Sequence, residues 1–516
     1  MSRPAIVFIG FMGAGKSTAL AAARKAGLAD ETLEIDTLME DALGKPIARA
    51  FEEDGEEAFR AREAEVVGSL LEQADGGAIA LGGGSVLSDR IRAALDRHVV
   101  VWIEIDGPTA WERIAGSGRP LATGLEDVNR LLAEREPLYE DLADAVIPMM
   151  GREEVMEALG CLRHLRRLPP GSKMLWARSE SGAYPVYIGC GLLGATSEEE
   201  HWPLAGERYC VTDEAVGSLY AEQLPPLATR IEVPPGETAK TMVEAERVLR
   251  ELARAGMTRE GHVIALGGGV VGDLGGFCAH LYQRGVRVVQ VPTTLVAQVD
   301  SAYGGKTGVD LPEGKNYAGA YHLPAAVVAD VATLATLPAE ELAAGFVEVL
   351  KTGLLAGGTL WERVRLIESL DPAELDDVVF ACARYKCAVV AADERDAGLR
   401  HALNLGHTVG HAIEAASGYA RYRHGEAVGL GLLAALRLSD APALRDQVEE
   451  LLRRHGLPLG LDPALETNAV LDALQRDKKR TAAGVGFVLL AEPGVPRVGQ
   501  TVDPVKVRLA VEELYE

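Results

Sequence analysis

Residues 5–17, AIVFIGFMGAGKS, decide the fold of the N-terminal part of the chain. The apolar run 5–9 predicts a buried strand, and residues 10–17 then match the pattern G-x-x-x-x-G-K-[S/T] at every fixed position. The segment that follows, TALAAARKAG, predicts a helix. A strand, a glycine loop and a helix in this order are typical of a phosphate-binding loop, because backbone N–H groups at the helix N-terminus face the anion.

The motif also predicts the roles of two side chains. In such loops the lysine reaches the terminal phosphates of a nucleotide and the hydroxyl of the next residue binds magnesium, so we expect these roles for Lys16 and Ser17. The ATP-binding residues predicted here are Gly13, Ala14, Gly15, Lys16, Ser17 and Thr18.

Length and composition limit the class of protein. At about 150 residues per domain, 516 residues predict roughly three domains. With 48% hydrophobic and 25% charged residues the chain is typical of a globular protein, and a formal net charge of -24 disfavours nucleic acid and anionic membrane as partners. The six cysteines form no C-x-x-C pair, and the start MSRPAIVFIG does not resemble a signal peptide, so we expect the cytoplasm.

The chain divides by pattern into an α/β fold with three parts. Residues 1–165 alternate Val/Ile strands with helical stretches, which predicts a parallel sheet of the P-loop type. Residues 166–182, with Pro-Pro-Gly, predict an exposed linker. Residues 183–335 alternate strands and helices again and predict a Rossmann-like α/β domain, while residues 336–516 predict a mainly helical domain with a late hairpin near GVGFVLL.

Several further motifs in residues 1–165 make the block resemble shikimate kinase over essentially its full length. The matching stretches are the phosphate-binding loop, Glu34-Ile-Asp36, GKPIARAFEEDGEEAFRAREAE, Gly82-Gly83-Gly84, Gly118-Arg119-Pro120-Leu121 and Arg135-Glu-Pro-Leu-Tyr139. The resemblance implies that Asp36 holds the acceptor hydroxyls and orients the attacking oxygen, and that Arg60 and Arg135 grip the shikimate carboxylate. It further implies that Gly82, Gly83 and Gly84 offer backbone donors, that Arg119 closes over ATP, and that Glu34, usually Asp in the family, lies near magnesium.

The second half carries a second glycine loop. Residues 267–272, GGGVVG, fit G-x-G-x-x-G after the strand HVIAL, and the hexapeptide IALGGG occurs at both 79–84 and 264–269. The acidic residue that a dinucleotide site usually has near position 290 is missing, although Asp213 follows a predicted strand and is a candidate to hold the ribose.

Glu348, His407 and His424 form a set of one carboxylate and two imidazoles, the donor set of a zinc site with open positions. His407 and His411 stand at i and i+4, so the spacing alone equally allows that pair as ligands. As a set in so acidic a chain, eight basic residues of this half indicate a polyanionic substrate: Arg284, Lys306, Lys315, Lys351, Lys386, Arg400, Lys478 and Lys479.

From residue 183 to residue 490 the chain resembles 3-dehydroquinate synthase. The matching stretches include PPGETAK, ALGGGVVGDLGGF, VPTTLVAQVDSAYGGKTGVD, GKNYAGAYHLP, AGLRHALNLGHTVGHAIE and HGEAVGLG. The resemblance implies NAD as a regenerated cofactor, zinc or cobalt on Glu348, His407 and His424, and His411 as a substrate contact or base. The reaction implied is the cyclisation of 3-deoxy-arabino-heptulosonate 7-phosphate to 3-dehydroquinate with release of phosphate.

The remaining roles follow from the same motif match. Catalytic residues would be Lys351, His411, Asp300, Arg400 and Asn404; NAD would be bound by Asp213, Glu237, Lys240, Gly268, Gly269, Asp273, Thr293, Thr294, Lys306 and Lys315; and the substrate would be bound by Arg284, Lys306, Asn316, Lys386, Lys478 and Lys479.

We therefore expect a bifunctional enzyme that uses shikimate, ATP with magnesium, and heptulosonate phosphate, and that forms a homodimer through the synthase half. Two alternatives stay open. In the first alternative, residues 1–165 are a regulatory nucleotide-binding module. In the second, the C-terminal half is a metal- and NAD-dependent polyol dehydrogenase or another sugar-phosphate cyclase.

Overall fold

The structure is a computed structural model that describes residues 3–116, 124–476, 480–481 and 484–515. The chain forms two compact units. Unit 1 comprises Met1–Trp176 and Pro185–Tyr187, and unit 2 comprises Ala177–Tyr184 and Ile188–Glu516.

Unit 1 is built on a parallel sheet in the order β2-β3-β1-β4-β5. Its strands are β1 (Ile6–Ile9), β2 (Thr32–Glu34), β3 (Ala78–Ala80), β4 (Val99–Glu104) and β5 (Ala145–Pro148). Every residue of the central strand β1 is buried, which explains its purely apolar sequence IVFI.

Helices alternate with these strands, as the sequence predicts. They are α1 (Lys16–Lys25), α2 (Ile35–Leu43), α3 (Ile47–Asp54), α4 (Glu56–Gln73), α5 (Asp89–Leu95), α6 (Gly107–Ile114), α7 (Leu125–Leu142), α8 (Arg152–Gly160) and α9 (Leu162–Leu165). Helix α1 begins directly after the glycine loop, at Lys16, and buries its alanine-rich face.

The segment 166–182, for which the sequence predicts an exposed linker, contains a strand. Strand β6 (Lys173–Ser179) is buried over its Met-Leu-Trp-Ala stretch and turns into β7 (Gly182–Gly189). The run of apolar residues that follows Pro-Pro-Gly is long enough to form a strand, so only the first part of the segment is irregular.

The first part of unit 2 contains five neighbouring parallel strands, in the order β14-β11-β10-β8-β9. Its strands are β8 (Arg208–Asp213), β9 (Thr229–Val233), β10 (His262–Gly267), β11 (Arg287–Pro292) and β14 (Ala326–Asp330), and an antiparallel hairpin pairs β12 (Lys306–Leu311) with β13 (Gly314–Tyr321). The helices among them are α10 (Leu192–Ala195), α11 (Glu214–Tyr220), α12 (Met242–Arg254) and α13 (Gly269–Leu281).

The chain after residue 338 is mainly helical. Its helices are α14 (Ala339–Ala356), α15 (Gly358–Arg365), α16 (Pro372–Ala392), α17 (His407–Ala416), α18 (His424–Leu438), α19 (Pro442–Arg454), α20 (Thr467–Arg476) and α21 (Pro504–Glu512). Two short hairpins pair β15 (Arg480–Thr481) with β16 (Gly484–Val485) and β17 (Phe487–Leu490) with β18 (Pro496–Gln500), so the predicted late hairpin is present.

Glycines allow helix α18 to approach its neighbours closely. A Cβ on Gly425 would collide with the carbonyl oxygen of Ala344 in α14, and a Cβ on Gly431 would collide with the carbonyl oxygen of Gly406 at the start of α17. Because helices with side chains at these positions would stand farther apart, the two glycines fix α18 against α14 and α17.

The predicted α/β fold class is confirmed: the phosphate-binding loop lies among the parallel strands and helices of unit 1, and parallel strands in a Rossmann-like arrangement precede the helical part of unit 2. Among the described residues, no helix combines the length and the apolar character needed to cross a bilayer.

The pH dependence of stability can be predicted from His262, which is fully buried at the start of β10. Trp202 Nε1–H donates to His262 Nε2 at 2.9 Å, so that nitrogen must carry a lone pair. Burial first, and then Arg287 and Arg208, lower the pKa of His262 from 6.5 to about 3. The unfolded chain therefore binds a proton more readily, and we expect unit 2 to lose stability as the pH falls from 6.5 towards 3.

The measurement is the urea midpoint at neutral pH and at about pH 5 for the wild type, His262→Gln and the more exposed control His201→Gln. A glutamine side chain in place of His262 would still accept from Trp202 but does not titrate, so His262→Gln should lose less stability on acidification than the wild type. Equal losses would contradict the assignment.

Candidate active sites

The glycine loops of unit 1 lie side by side at one edge of its sheet. Strands β1 and β3 are parallel neighbours in which Phe8 pairs with Ala80, so the loops that follow them leave the sheet together. A Cβ on Gly83 would lie 3.3 Å from the backbone nitrogen of Met12. The phosphate-binding loop and the Gly82–Gly84 loop therefore border one site.

The phosphate-binding loop has the conformation that its glycines predict. Gly13 and Gly15 have φ values of 78° and 99°, a region that other residues rarely adopt. Lys16 Nζ donates to the carbonyl oxygens of Gly10 and Phe11 at 2.8 and 2.9 Å, which holds the ammonium over the loop. Of the other predicted ATP ligands, Ala14 and Thr18 lie in the same loop and first helical turn, whereas Arg119 lies outside the described residues.

Oxygen groups suited to magnesium gather beside the loop. The Ser17 hydroxyl donates a hydrogen bond to the Glu34 carboxylate, and Asp36 lies in the first turn of α2, for which Glu34 is the N-cap residue. Hard cations such as Mg²⁺ prefer hydroxyl and carboxylate oxygens of this kind. The chemistry of these donors fits the ion.

Arg60 is held beside the Gly82–Gly84 loop. Its Nη1 donates to Glu63 Oε2 at 2.5 Å, and a Cβ on Gly84 would collide with its guanidinium group. Glu63 is 3% exposed and its Oε1 accepts from the Ser85 hydroxyl at 2.7 Å. Asp36 Oδ1 would lie 3.3 Å from a Cβ on Gly82, so the predicted shikimate ligands converge.

Arg135 approaches the same loop from α7. It is 4% exposed, its Nη1 donates to the carbonyl oxygen of Gly83 at 3.3 Å, and its guanidinium lies 5.8 Å from the ring centre of Phe11. Tyr139, one turn later, donates to the same carbonyl oxygen at 2.5 Å.

Sequence reasoning missed Glu63 and Tyr139 as parts of this site. Both stand one helical turn from a predicted arginine, at Arg60 plus three and Arg135 plus four, and that spacing was the available signal. It also missed Arg113, whose Nη1 donates to the carbonyl oxygen of Gly13 at 2.6 Å.

Unit 2 contains a cavity of about 990 Å³. Predicted site residues that line it are Asp213, Glu237, Lys240, Gly268, Gly269, Asp273, Thr294, Asp300, Lys315, Asn316, His411 and His424.

The glycine loop after β10 forms part of the cavity wall. Thr293 N–H donates to the carbonyl oxygen of Gly267 at 3.0 Å, which ties the ends of β10 and β11 together. A Cβ on Gly268 would lie 2.9 Å from a side-chain carbon of Thr294, so the loop has room only for glycine. Helix α13 begins at Gly269, and its N-terminus faces the cavity.

Charged residues beside this loop form ion pairs. Lys240 Nζ lies 2.6 Å from Asp273 Oδ2 and 3.9 Å from Glu237 Oε1. Burial opposes the charge of Lys240, but Asp273 and Glu237 together hold its pKa above the usual value. Asp213 accepts from the Val216 N–H at 3.0 Å as the N-cap of α11 and also lines the cavity.

The three predicted metal ligands converge. His407 Nε2 and His424 Nε2 each lie 3.5 Å from Glu348 Oε1. Glu348 is fully buried, and no described residue donates a hydrogen bond of ordinary geometry to this oxygen. A buried, unpartnered carboxylate oxygen facing two imidazole nitrogens fits a zinc or cobalt ion. His411, Glu414 and His424 form a second such group, which shares His424 with the first.

Lysines form ion pairs with the predicted ligand Glu348 and with the neighbouring Asp300. Lys351, 1% exposed, forms a hydrogen bond with Glu348 and lies 3.6 Å from Asp300 Oδ2, while Lys386 forms an ion pair with the other Asp300 oxygen. Burial opposes the charge of Glu348, but Lys351 and the two imidazoles hold its pKa well below the usual value. Burial likewise disfavours a charged His424, yet Glu348 and Glu414 raise its pKa to about 10.

Arg400 and Asn404 follow in one turn before α17. Arg400 is 3% exposed, and its Nη1 donates to the carbonyl oxygen of Glu394 at 2.9 Å. Asn404 Nδ2 donates to the carbonyl oxygen of His401 at 3.1 Å.

Some predicted substrate residues lie elsewhere. Lys306, at the start of β12, forms an ion pair with Asp396 and is not among the residues that line the cavity. Arg284 is exposed past the C-terminal end of α13, whereas the N-terminal end faces the cavity, so the described chain does not bring it to the site. Lys478 and Lys479 lie outside the described residues.

Sequence reasoning also missed Glu414 and Tyr419 in this site. Glu414 lies 3.5 Å from His424 Nδ1, and the ring of Tyr419 lies 4.6 Å from Lys315 Nζ. Glu414 stands seven residues after His407 on α17, two turns along the same face, and this spacing was the available signal.

Comparisons with known families match the two units separately. The family model for shikimate kinase matches residues 12–163. The models for 3-dehydroquinate synthase match residues 230–344 (N-terminal) and 345–480 (C-terminal).

Individual proteins agree with these matches. The 3-dehydroquinate synthase of Symbiobacterium thermophilum is 42% identical over 350 residues, covering 64% of this chain and 98% of that protein. That of Halorhodospira halophila is 44% identical over 331 residues, covering 62% of this chain and 93% of its own length.

Solved structures show the same fold. The 2-epi-5-epi-valiolone synthase ValA of Streptomyces hygroscopicus, solved with NAD+ and Zn2+, is 27% identical over 64% of this chain and 96% of its own, with a TM-score of 0.59. A 2-deoxy-scyllo-inosose synthase complexed with carbaglucose-6-phosphate, NAD+ and Co2+ is 24% identical over 66% of this chain and all of its own, with a TM-score of 0.60.

Since a relative of 42% identity is matched over nearly its whole length, and a kinase match precedes it without overlap, the chain belongs to the 3-dehydroquinate synthase family and carries a shikimate kinase region fused ahead of the synthase.

Proposed function

We propose that this chain catalyses two reactions of the shikimate pathway. One is the ATP-dependent phosphorylation of shikimate, and the other is the cyclisation of 3-deoxy-arabino-heptulosonate 7-phosphate to 3-dehydroquinate with phosphate release. The observation that carries the proposal is that each matched region holds its own cluster of charged site residues, Arg60 with Arg135 in one and Glu348 with His407 and His424 in the other.

For the domain organisation we propose a kinase domain of residues 1–165, a connecting segment of residues 166–182 that includes β6 and the first residue of β7, an NAD-binding domain of residues 183–335 and a metal- and substrate-binding domain of residues 336–516. The two sets of parallel strands, one in each unit, and the helical part support these boundaries.

In the kinase, the Gly13–Thr18 stretch would surround the ATP phosphates, with Lys16 on the terminal phosphates and Ser17 and Glu34 near magnesium. Arg60 and Arg135 would bind the shikimate carboxylate, since planar guanidinium groups pair with carboxylates through two hydrogen bonds. Asp36 would hold the hydroxyl that attacks ATP, and the Gly82–Gly84 loop would meet the ring. Arg119 stays a predicted ATP contact.

In the synthase, Glu348, His407 and His424 would hold zinc or cobalt, and the Gly268–Gly269 loop with Thr294 would receive NAD. When bound, the metal polarises a substrate hydroxyl, and NAD accepts and returns a hydride. The structures of ValA and of 2-deoxy-scyllo-inosose synthase, which contain NAD+ with Zn2+ or Co2+, support these assignments.

The chain's own side chains would bind and orient the sugar phosphate. Lys351 and Lys386 are buried cations that share Asp300 beside Glu348, and Arg400 is a buried cation in the turn before α17; the three suit the carboxylate and phosphate of such a substrate. His411, at the cavity wall one turn from His407, would contact the substrate and move its protons. Asp300 would keep the two lysines in place, and Asn316, Lys315 and Asn404 would complete the contacts.

The homodimer through the synthase half and the cytoplasmic location stay predictions of the sequence. Arg284, Lys306, Lys478 and Lys479 stay predicted substrate residues.

Purified full-length protein tests the two activities directly. With heptulosonate phosphate, NAD and zinc it should release phosphate without net NADH, and with shikimate and ATP it should release ADP. Net NADH would support a polyol dehydrogenase instead, and ATP binding without turnover would support a regulatory module.

The role of Arg60 predicts a selective kinase defect. Arg60→Ala should raise the KM for shikimate by about 10- to 150-fold, which corresponds to the roughly 1.5–3 kcal/mol of a hydrogen bond to a charged group. Arg62→Ala is the matched control, because Arg62 lies on the same helix but is exposed and pairs with Glu65. A normal KM in Arg60→Ala, or an equal change in Arg62→Ala, would refute the assignment.

The role of Glu348 predicts a selective synthase defect. Glu348→Gln keeps the size of the side chain but removes the charge that faces both imidazoles, so the protein should lose zinc on dialysis and cease to release phosphate from heptulosonate phosphate. Shikimate phosphorylation should continue at the wild-type rate. The control is Glu449→Gln, because Glu449 is an acid of α19 that forms an ion pair with Arg453.

Zinc content per chain and the two initial rates are the measurements. Full zinc retention by Glu348→Gln would contradict the proposed ligand set, and a parallel loss of kinase activity would contradict the independence of the two sites.

A further inference from the structure

The imidazole of His424 lies between two carboxylates, one at each ring nitrogen. Its Nε2 is 3.5 Å from Glu348 Oε1, and its Nδ1 is 3.5 Å from Glu414 Oε2. A histidine that offers the lone pair of one nitrogen to a metal carries a proton on the other. His424 would therefore bind metal through Nε2 and donate its Nδ1 proton to Glu414.

The other imidazole of the set is arranged in the same way with a different partner. His407 Nε2 also faces Glu348 Oε1 at 3.5 Å, and its Nδ1 lies 3.1 Å from the carbonyl oxygen of Leu405. A backbone carbonyl thus fixes the tautomer of His407, whereas a side chain must do so for His424. The His424 side chain is 39% exposed, so its orientation depends more on a specific partner.

Glu414 is itself held firmly in place. Its side chain is 5% exposed, and its Oε1 lies 3.6 Å from Lys315 Nζ in strand β13. Lys315 lies over the ring of Tyr419, whose N–H donates to the Glu414 carbonyl oxygen at 2.8 Å. The residue is therefore a buried carboxylate with Lys315 at one oxygen and His424 at the other.

We propose that Glu414 is a positioning residue of the metal centre, which accepts the Nδ1 proton of His424 and turns its Nε2 towards Glu348 and His407. The inference rests on the metal site proposed above and adds to it the residue that orients one ligand. Through Lys315 the same carboxylate contacts the β12–β13 hairpin, which lines the cavity with residues 313–317. Glu414 thereby links the position of the hairpin to the position of the metal ligand His424.

A competing assignment makes Glu414 a ligand. His411, Glu414 and His424 also have donor atoms close enough to hold an ion, which would be a second one in this cavity. The number of ions per chain separates the two assignments, because a positioning residue predicts one ion and a second ligand set predicts two.

The test uses full-length protein and zinc itself, titrated in competition with a chromophoric chelator. Glu414→Ala should weaken zinc binding by about 10- to 100-fold, the usual effect of losing a partner of a metal-bound histidine. Glu414→Gln should lose less, because its amide oxygen still accepts the proton. Glu341→Gln is the matched control: Glu341 lines the same cavity but pairs with Arg423 and contacts no ligand ring.

Two further readouts exclude a general structural defect. At saturating Co²⁺, the visible spectrum of Glu414→Gln should match that of the wild type, since all three ligands remain, and shikimate phosphorylation should be unchanged.

The outcomes are separable. One zinc per chain in the wild type, with weaker binding in both Glu414 variants, supports the inference. Zinc affinity in Glu414→Ala within about threefold of the wild type overturns it, as does a wild type with two zinc ions of which Glu414→Ala loses one. A wild type that takes up no zinc overturns the proposed metal function as well.

Discussion

A buried carboxylate keeps its charge only when opposite charges surround it, and Glu348 imposes this condition on the larger unit. Lys351 supplies one cation from the same helix, one turn later. The two imidazoles come from the first residues of α17 and α18, so both helices must begin beside α14. Gly425 and Gly431 permit that approach, which explains why glycines occupy otherwise apolar helices there.

Both sites prepare their cations in the same manner. Arg60 is held by Glu63, Lys386 and Lys351 by Asp300, and Lys240 by Asp273. A long basic side chain has many rotamers, and a carboxylate partner selects one of them before the anionic substrate arrives. The chain is acidic overall, with a net charge of -24, and yet it concentrates oriented cations where anions must bind.

The sequence predicted most of the regular structure, because strands such as HVIALG and helices such as α1 have the apolar periodicity of their final environment. The convergence of Glu348, His407 and His424 followed from the resemblance to the synthase family, because spacing alone equally allowed His407 with His411. Glu63 and Glu414 were missed because an acidic residue on a helix is usually solvated, and only the fold shows that these two are buried.

Other differences have similar local causes. The strand β6 was missed because Pro-Pro-Gly dominates the segment before it. Arg284 stays a predicted substrate residue, although within the described chain the 13-residue helix α13 separates it from the cavity. A motif match thus gives the position of a residue in the sequence, but only the fold gives its distance from the active site.

The hexapeptide IALGGG lies at the end of an inner parallel strand in each unit, at 79–84 after β3 begins and at 264–269 in β10. After the first copy a short 3-10 turn follows, Ser85–Leu87, and the Arg60 guanidinium crowds the last glycine. In the second copy α13 begins at Gly269, before any side chain intervenes, so amide dipoles point at the cavity. Exchanging the two identical hexapeptides would change no atom of the protein, so the residues that flank them must account for the difference between the proposed shikimate pocket and the proposed NAD pocket.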